Sequence, residues 1–461
     1  MVERLDKIRA FYNSRLYAVL ITALILVGYV TKTEVAFFAV MTVLTVGGCL
    51  IAYDFRFAVM PFLATIFFVT LEHTPGVPTH SAYYATAPIL PILIVLFGSI
   101  FVGFIVFAIR NRKRANPFPK RGVFISIAVW AAAVCLNGAF NPAYTVSNLA
   151  FAATFPLALV ATFLLFALYV RFEDGAFDHF MFCLVLSGTL IVLQFSVLLL
   201  SGAIPVAEGG VINKDHVALG WAVHNSFAGL LTALIPACFY FAATHKHGWI
   251  YYAIGLVEFF AAVLSQSRTA TLVGAGVLLL CMVVCCFFGK NRKVNRFIFL
   301  GIAIVGVAGV VLLWDKLSGV LNNFMTRGFD DNGRLELWQN GIHQFLEHPI
   351  FGAGFYDHGI TAEEVLNWEI NVYPYFYHNT PIQMLGTAGI VGFAAYLYHR
   401  AYTVKLFMVR PNLKKSFLAI GVLAMVLFCM LDVLFFITYP LMYYALMLLY
   451  MEKSDVKAER W

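Results

Sequence analysis

Three basic side chains and one histidine in this sequence have the chemistry needed to displace an anionic leaving group. Arg268 lies at a turn between two apolar segments, Arg334 opens an amphipathic segment, and His378 directly precedes a third apolar segment. Guanidinium groups bind phosphate oxygens through paired hydrogen bonds, and a neutral imidazole accepts a proton from an attacking hydroxyl. With Lys214 as a further candidate, these residues predict a site where a hydroxyl displaces an anion such as pyrophosphate.

The residues after His378 predict a helix that begins beside the imidazole. Asn379 or Thr380 is a suitable N-cap, and Pro381 suits the first helical turn. The positive end of the helix dipole disfavours an imidazolium at this position. We therefore expect His378 to be neutral and able to accept a proton.

Glycines mark two segments near these candidates. Gly352 and Gly354, in HPIFGAGF, allow a tight backbone path and predict a turn. Gly386, Gly389 and Gly392 form a smooth strip on the predicted helix, which suits close helix packing or contact with a lipid chain. Gly389 lies about three turns below the histidine, on the same helical face.

Polar residues inside the apolar segments are further candidates. His224 and Asn225 are expected about a turn and a half inside a helix predicted over 219–243, where they could contact substrate or a neighbouring helix. Glu258 falls in the middle of an apolar segment, where a carboxyl group must be protonated, paired or in contact with water.

The composition requires that membrane helices position these residues. Of the 461 residues, 61% are hydrophobic and 12% are charged, with a mean hydropathy of +0.84. A soluble domain is nearer 45–50% apolar and about 25% charged, so a soluble globular fold is excluded, as are disordered, collagen-like and disulfide-rich chains. All eight cysteines fall in apolar segments, which implies neither a disulfide framework nor a zinc site.

Apolar runs of the length that crosses a bilayer predict an all-α, polytopic transmembrane bundle of about 12–14 spans with one large outer loop. The last two runs are short and could form a re-entrant hairpin. The fourteen candidates are roughly 16–31, 35–53, 57–71, 88–109, 123–138, 149–170, 178–200, 219–243, 249–265, 269–288, 297–314, 379–399, 416–434 and 437–451.

The basic residues predict the orientation. With both termini in the cytoplasm, 25 of the 31 Lys and Arg residues fall on the inner side, a strong positive-inside bias. The predicted organisation is transmembrane helices over 1–314, an outer loop over 315–378, and C-terminal helices with a cytoplasmic tail over 379–461. No clear cleavage site follows the basic N-terminus, so the first helix is expected to be an anchor.

The outer loop 315–378 is long enough to suggest function. It contains an amphipathic helix that Asp331 or Asn332 is expected to cap and Pro349 to end. Its apolar face suits a position on the membrane surface or on the bundle. The residues of that face are Leu335, Trp338, Ile342, Phe345 and Leu346.

Three motifs in this order resemble the bacterial O-antigen ligase and polymerase superfamily of integral membrane glycan transferases. They are SRTATL at Arg268, GRLELWQNGI followed by HPIFGAGF at Arg334, and HN at 378–379 followed by nine residues and GIVG. The resemblance covers roughly 217–395. It implies a GT-C-like fold and a glycan donor carried on undecaprenyl pyrophosphate, with no metal, cofactor or nucleic acid.

The resemblance also implies roles for individual residues. Arg268 and Arg334 would contact the pyrophosphate, His378 would activate the acceptor hydroxyl, and Asn379 would help to hold it. The candidates for further substrate contacts are Lys214, His224 and Asn225.

The resulting prediction is a metal-independent, inverting glycosyltransferase of the bacterial plasma (inner) membrane. The motif at His378 favours an O-antigen ligase with a lipid A–core acceptor. A repeat-unit polymerase for O-antigen, capsule or exopolysaccharide stays an alternative, as does a protein O-glycosyltransferase. From other classes, a transporter or flippase of lipid-linked sugars, or a structural membrane subunit, is possible. The glycan, acceptor, envelope type and oligomeric state are left open.

Overall fold

The chain folds as α-helices joined by irregular connections. The computed structural model describes residues 2–65, 89–120, 122–173, 175–202, 204, 216–312, 333–355 and 376–454. Across these ranges no strand is formed, and two 3-10 turns lie at Arg112–Arg114 and Leu434–Phe436. The α-helices are α1 (Val2–Tyr12), α2 (Arg15–Thr31), α3 (Glu34–Ile51), α4 (Phe55–Thr65), α5 (Ile89–Asn111), α6 (Val123–Cys135), α7 (Val146–Tyr169), α8 (Ala176–Leu200), α9 (His224–Thr244), α10 (Gly248–Leu264), α11 (Arg268–Phe287), α12 (Arg292–Leu312), α13 (Arg334–Glu347), α14 (Thr380–Met408), α15 (Leu413–Phe428) and α16 (Thr438–Lys453).

Polar N-caps fix where several of these helices begin. In each, the side-chain oxygen of the capping residue accepts a hydrogen bond from the backbone N–H three residues on. Such a cap satisfies one of the amides that the first helical turn leaves without a partner. The capping residues are Ser14, Thr145, Ser267, Asn379 and Asn412.

The protein is an all-α, multi-pass membrane protein, as the composition predicted. Each of the fourteen predicted segments overlaps a helix. Within the described residues, seven helices are long and apolar enough to cross a membrane, or eight if the bent pair α1–α2 is one span. The apolar helices α6 and α10 are shorter.

Two helices form the centre of the bundle. In α9, every residue from Ser226 to Ala243 is buried, and in α16 every residue from Pro440 to Met451 is buried. α9 packs against α8, α10, α11 and α15, and α16 packs against α7 and α15. The C-terminal pair α15–α16 therefore belongs to the core of the bundle.

Hydrogen bonds between the segments that connect the helices show which helix ends lie at the same end of the bundle. At one end, Lys290 N–H donates to the carbonyl of Ala243 at 2.9 Å, and Asn116 Nδ2 donates to that of Val170 at 2.7 Å. We call this the basic end, because the connection after α5 carries a run of arginines there. The opposite end, which contains His378, is called the site end.

The structure corrects the predicted end of the helix over 379–399. α14 continues to Met408, so His399 and Arg400 lie within it rather than at and beyond its end. His399 is fully buried, with Nδ1 2.9 Å from Ser126 Oγ and Nε2 2.8 Å from the Tyr444 hydroxyl. Arg400 also donates to the Tyr444 hydroxyl, at 2.8 Å.

Glu258 is fully buried in α10, where its carboxyl group lies against Gly188 of α8. Together with His399 and Arg400, it gives the interior more polar groups than the sequence predicted. A transporter would place charged groups along a path at mid-membrane.

Candidate active site

His378 sits on a strained backbone that is fixed on both sides. Its φ is +49°, in the left-handed region that only a few per cent of non-glycine residues adopt. Before it, Tyr377 N–H donates to Gln383 Oε1 at 2.8 Å; after it, Asn379 Nδ2 donates to the carbonyl of Met430 at 2.9 Å. Strain of this kind persists where the surroundings impose it, and it is concentrated at functional sites.

The predicted helix start after His378 is confirmed. Asn379 is the N-cap of α14, its side chain accepts a hydrogen bond from Ile382 N–H at 3.1 Å, and Pro381 lies in the first turn. Thr380 N–H donates to the carbonyl of Cys429 at 2.9 Å. The N-terminus of α14 is therefore attached to the connection between α15 and α16.

That connection supplies a carboxylate that sequence reasoning missed. Asp432 Oδ1 lies 3.5 Å from His378 Nδ1, and the side chains are 5% and 37% exposed respectively. Among the described residues, neither His378 Nδ1 nor Asp432 Oδ2 has a hydrogen-bond partner. The available signal was an isolated acidic residue within an apolar run, LFCMLDVLFF.

α14 is broken eleven residues below His378, at Gly389. This residue has φ +61° and ψ −160°, outside the helical region. Gly389 therefore interrupts the predicted strip of Gly386, Gly389 and Gly392, because a backbone with these angles breaks the helix and is essentially restricted to glycine.

The residues of HPIFGAGF, 348–355, fill this break; we call them the inserted segment. Its amides donate to carbonyls on the near side of the break, and its carbonyls accept from amides on the far side. Gly352 and Gly354 have φ values of +69° and +94°. The turn predicted at Gly352 and Gly354 is thus part of a segment that supplies the missing backbone partners of α14. The four hydrogen bonds join Ala353 N to Gly386 O (2.8 Å), Gly354 N to Thr387 O (3.0 Å), Ile390 N to Pro349 O (2.9 Å) and Val391 N to Ile350 O (3.2 Å).

The connection between α6 and α7 holds the inserted segment from the other side. Asn141 Nδ2 donates to the carbonyl of Ala353 at 2.8 Å, and Asn137 Oδ1 accepts from Phe355 N–H at 3.3 Å. Burial raises the pKa of Tyr144, whose ring lies against Gly354, to about 12, so its phenol is neutral. The cluster of asparagines in NGAFNPAYTVSN was the available sequence signal.

Arg334 opens α13, which packs on the start of α14. A Cβ at Gly386 would lie 2.8 Å from the carbonyl oxygen of Gly341, and the Tyr377 ring lies beside both glycines. Arg334 is seven residues from Gly341, about 10 Å along the helix axis. The half-buried Arg334 is therefore carried by a helix that contacts the residue next to His378.

Two expectations for α13 need adjustment. The N-cap is Gly333, which provides no side-chain cap, and the predicted caps Asp331 and Asn332 lie outside the described residues. On the predicted apolar face, Leu335 and Leu346 are exposed. Since these side chains project from the bundle, a position on the membrane surface suits α13 better than full burial.

Arg268 is the first residue of α11 and is exposed. α11 packs against α15, and helices of the bundle alternate in direction, so the start of α11 and the end of α15 lie at the site end. The end of α15 leads into the connection that carries Asp432. Convergence of Arg268 and Arg334 on one cavity beside His378 stays a prediction.

The remaining candidates are less central. His224 and Asn225 are the first two residues of α9, so the prediction that they lie a turn and a half inside a helix is wrong. Residues 219–223, which were expected to be helical, form a turn instead, and a single bridge joins Ala218 and Val223. Lys214 lies outside the described residues.

The fold and the site together define a polytopic all-α membrane protein that gathers a histidine, a buried carboxylate and helix-terminal arginines at one end. Residues 253–397 match the family model described as O-antigen ligase. This match, which covers less than a third of the chain, confirms the resemblance of the motifs to the O-antigen ligase superfamily.

Two curated relatives match parts of the chain. One is the ComP-specific O-oligosaccharyltransferase of Acinetobacter baylyi, 24% identical over 242 residues, which are 50% of this chain and 43% of that protein. The other is the exopolysaccharide production protein ExoQ of Rhizobium meliloti, 26% identical over 149 residues, which are 30% of this chain and 33% of that protein. The matches therefore span less than half the length of each relative.

Proposed function

We propose that this protein transfers a glycan from undecaprenyl pyrophosphate to an acceptor hydroxyl on the outer side of the bacterial plasma membrane. The observation that carries the proposal is the pairing of His378 with the buried Asp432 at the start of α14. The O-antigen ligase match over residues 253–397, which contains Arg268, Arg334 and His378, supports it.

In the proposed reaction His378 acts as the general base. With Nδ1 directed at Asp432, Nε2 is available to the acceptor hydroxyl. The hydroxyl oxygen attacks the anomeric carbon of the donor and its proton moves to Nε2, while the bond from that carbon to the pyrophosphate oxygen breaks. A single displacement of this kind inverts the anomeric configuration.

The leaving pyrophosphate would be stabilised by Arg268 and Arg334. Each guanidinium offers paired N–H donors to phosphate oxygens, and such charge-assisted hydrogen bonds strengthen as negative charge develops. In this proposal the arginines supply the positive charge, so the reaction needs no metal ion or cofactor. Asn379, Lys214, His224 and Asn225 are proposed substrate contacts.

Three acceptors fit the same donor chemistry. The motif at His378 favours lipid A–core, which would make the protein an O-antigen ligase. The similarity to ExoQ supports a polymerase acting on a second lipid-linked repeat, and the similarity to an O-oligosaccharyltransferase supports a protein acceptor. We place the ligase first and the polymerase second.

The test is transfer by the purified full-length protein in lipid vesicles. The donor is an undecaprenyl-pyrophosphate-linked glycan, offered separately with lipid A–core, a second lipid-linked repeat and an acceptor protein. We expect product with one acceptor class, no product from His378→Ala, and normal product from His343→Ala. His343 is the matched control because it is exposed on α13 and pairs with Glu347.

Both variants should express and unfold like the wild type, so that a loss can be assigned to chemistry. Near-normal transfer by His378→Ala would refute the assignment of the base. Failure of the wild type with every acceptor, together with vectorial movement of the donor across the vesicle membrane, would favour a flippase.

A further inference from the structure

Three arginines converge on one tyrosine at the basic end, far from the site end. The guanidinium carbons of Arg9, Arg110 and Arg114 lie 4.3, 5.6 and 4.0 Å from the centre of the Tyr53 ring. These arginines come from α1, the end of α5 and the 3-10 turn after it. We call them the arginine cluster.

The positive charge of the arginine cluster is only partly balanced. Arg9 pairs with Asp6 at 2.8 Å and also donates to the Tyr53 hydroxyl at 3.1 Å. Arg110 donates to the carbonyl of Ala52. Within the described part of the chain, neither Arg110 nor Arg114 forms an ion pair. Three like charges so close repel one another unless an anion joins them, and each guanidinium has five N–H donors to offer.

A groove with apolar walls begins beside the arginine cluster and runs up the lipid-facing surface. It encloses about 560 Å³ between α3 and α5. A Cβ at Gly98, in its wall, would meet nothing within 4 Å, so the groove is open. We call it the apolar groove. Lining residues include Val46 and Leu50 on α3, and Ile94, Gly98, Val102 and Val106 on α5.

The groove and the cluster are joined at one end. Val106 lies one turn before Arg110 on α5, and Leu50 lies three residues before Tyr53. From Ile94 to Val106 the helix rises about 18 Å, which is close to the hydrocarbon depth of one leaflet, about 15 Å. An extended acyl chain in the groove would therefore place its headgroup at the arginines.

We propose that the arginine cluster and the apolar groove together bind one anionic phospholipid, with its phosphate on the guanidinium groups and an acyl chain in the groove. Charge complementarity selects an anionic lipid over a zwitterionic one, and the groove selects a lipid over a free phosphate ion. By the positive-inside bias this lipid belongs to the cytoplasmic leaflet. The proposal does not depend on the transfer reaction.

The first test is a lipid-binding titration of the purified full-length protein in detergent, read by native mass spectrometry. The probes are phosphatidylglycerol and phosphatidylcholine with the same chains. In the proposed site, each arginine that contacts the lipid phosphate should contribute about fivefold to anionic lipid binding. We therefore expect Arg9→Gln/Arg114→Gln to bind phosphatidylglycerol about 25-fold more weakly.

The control Arg112→Gln/Lys113→Gln removes the same amount of charge from exposed positions of the same connection. It should bind phosphatidylglycerol within about twofold of the wild type. Equal affinity of the wild type for the two lipids, or equal losses in the two double variants, would overturn the proposal.

The second test fills the groove. Gly98→Leu should weaken phosphatidylglycerol binding by about tenfold or more, because each CH₂ kept from burial costs about fourfold. Gly301→Leu is the control, since a Cβ at Gly301 of α12 also meets open space. An unchanged affinity in Gly98→Leu would refute the placement of an acyl chain in the groove. Full competition by inorganic phosphate would show that the arginine cluster binds a free anion instead of a lipid. Unfolding temperatures measured without added lipid should agree among all variants.

Discussion

The imidazole of His378 has one ring nitrogen directed at a buried carboxylate and a side chain that is otherwise partly exposed. A carboxylate in that position favours the tautomer with its proton on Nδ1 and stabilises the imidazolium that forms when Nε2 accepts a proton. The 3.5 Å separation of Nδ1 and Asp432 Oδ1 is longer than a normal hydrogen bond. Catalytic hydrogen bonds are often long without substrate and shorten in the substrate complex.

We predict that Asp432→Asn lowers kcat by about 10²–10⁴-fold with little change in KM, because asparagine keeps the shape but cannot stabilise the imidazolium. Steady-state transfer kinetics at saturating acceptor measure this. Glu336→Gln, an exposed carboxylate in the first turn of α13, should leave kcat unchanged. A normal kcat in Asp432→Asn would show that the carboxylate serves the fold alone.

The continuity of α14 depends on another part of the chain. The break at Gly389 leaves carbonyls and amides without helical partners, and the inserted segment supplies them. Backbone groups in or near a membrane need such partners, because an unsatisfied group costs several kcal/mol there. The glycines of HPIFGAGF and Gly389 of α14 therefore form a single structural unit, in which the inserted segment hydrogen-bonds to the break.

We expect Gly389→Ala to lower the free energy of unfolding by about 1–3 kcal/mol, since its backbone angles suit glycine alone and a Cβ would overlap the carbonyl of Ile350. Thermal unfolding in detergent measures this, and proteolysis within 348–355 should accelerate. Gly301→Ala, a helical glycine beside open space, should not lower the unfolding temperature. Equal behaviour of the two variants would argue against a structural role for the break.

The features that the sequence predicted correctly are those determined by residues close together in the chain. The Asn379 cap, the proline in the first turn and the helical apolar segments depend on local propensity and composition. The approach of Asp432 to His378 joins residues in separate helix connections, and the inserted segment meets α14 across an intervening stretch of chain. A single sequence contains no information on such long-range pairing, so the candidate site was predicted in its residue types and only partly in its geometry.

At the scale of the whole molecule, the basic run and the site residues lie at opposite ends of the bundle. The positive-inside bias predicts that the basic end faces the cytoplasm. Arg400, by contrast, lies within α14. The proposed transfer requires the site end to face outward, where the acceptor is.

Thiol labelling in cells tests that orientation. In a Cys135→Ala background, we predict that Phe140→Cys reacts with a membrane-impermeant maleimide that can reach the periplasm, whereas Lys113→Cys reacts only after the plasma membrane is opened. Phe140 is 78% exposed at the site end, and Lys113 is exposed at the basic end. The reverse pattern would place the site in the cytoplasm and end the proposal of outward transfer.

The break in α14 also bears on how the chain is synthesised. Of these three parts of the chain, the asparagine-rich connection at 137–148 is synthesised first, the inserted segment second and α14 third. By the time α14 is synthesised, the inserted segment that supplies the backbone partners at its break is already present. In a nascent chain arrested before Thr380, the amides and carbonyls of the inserted segment would lack their partners in α14. We therefore expect the inserted segment to become resistant to protease only after α14 has been inserted.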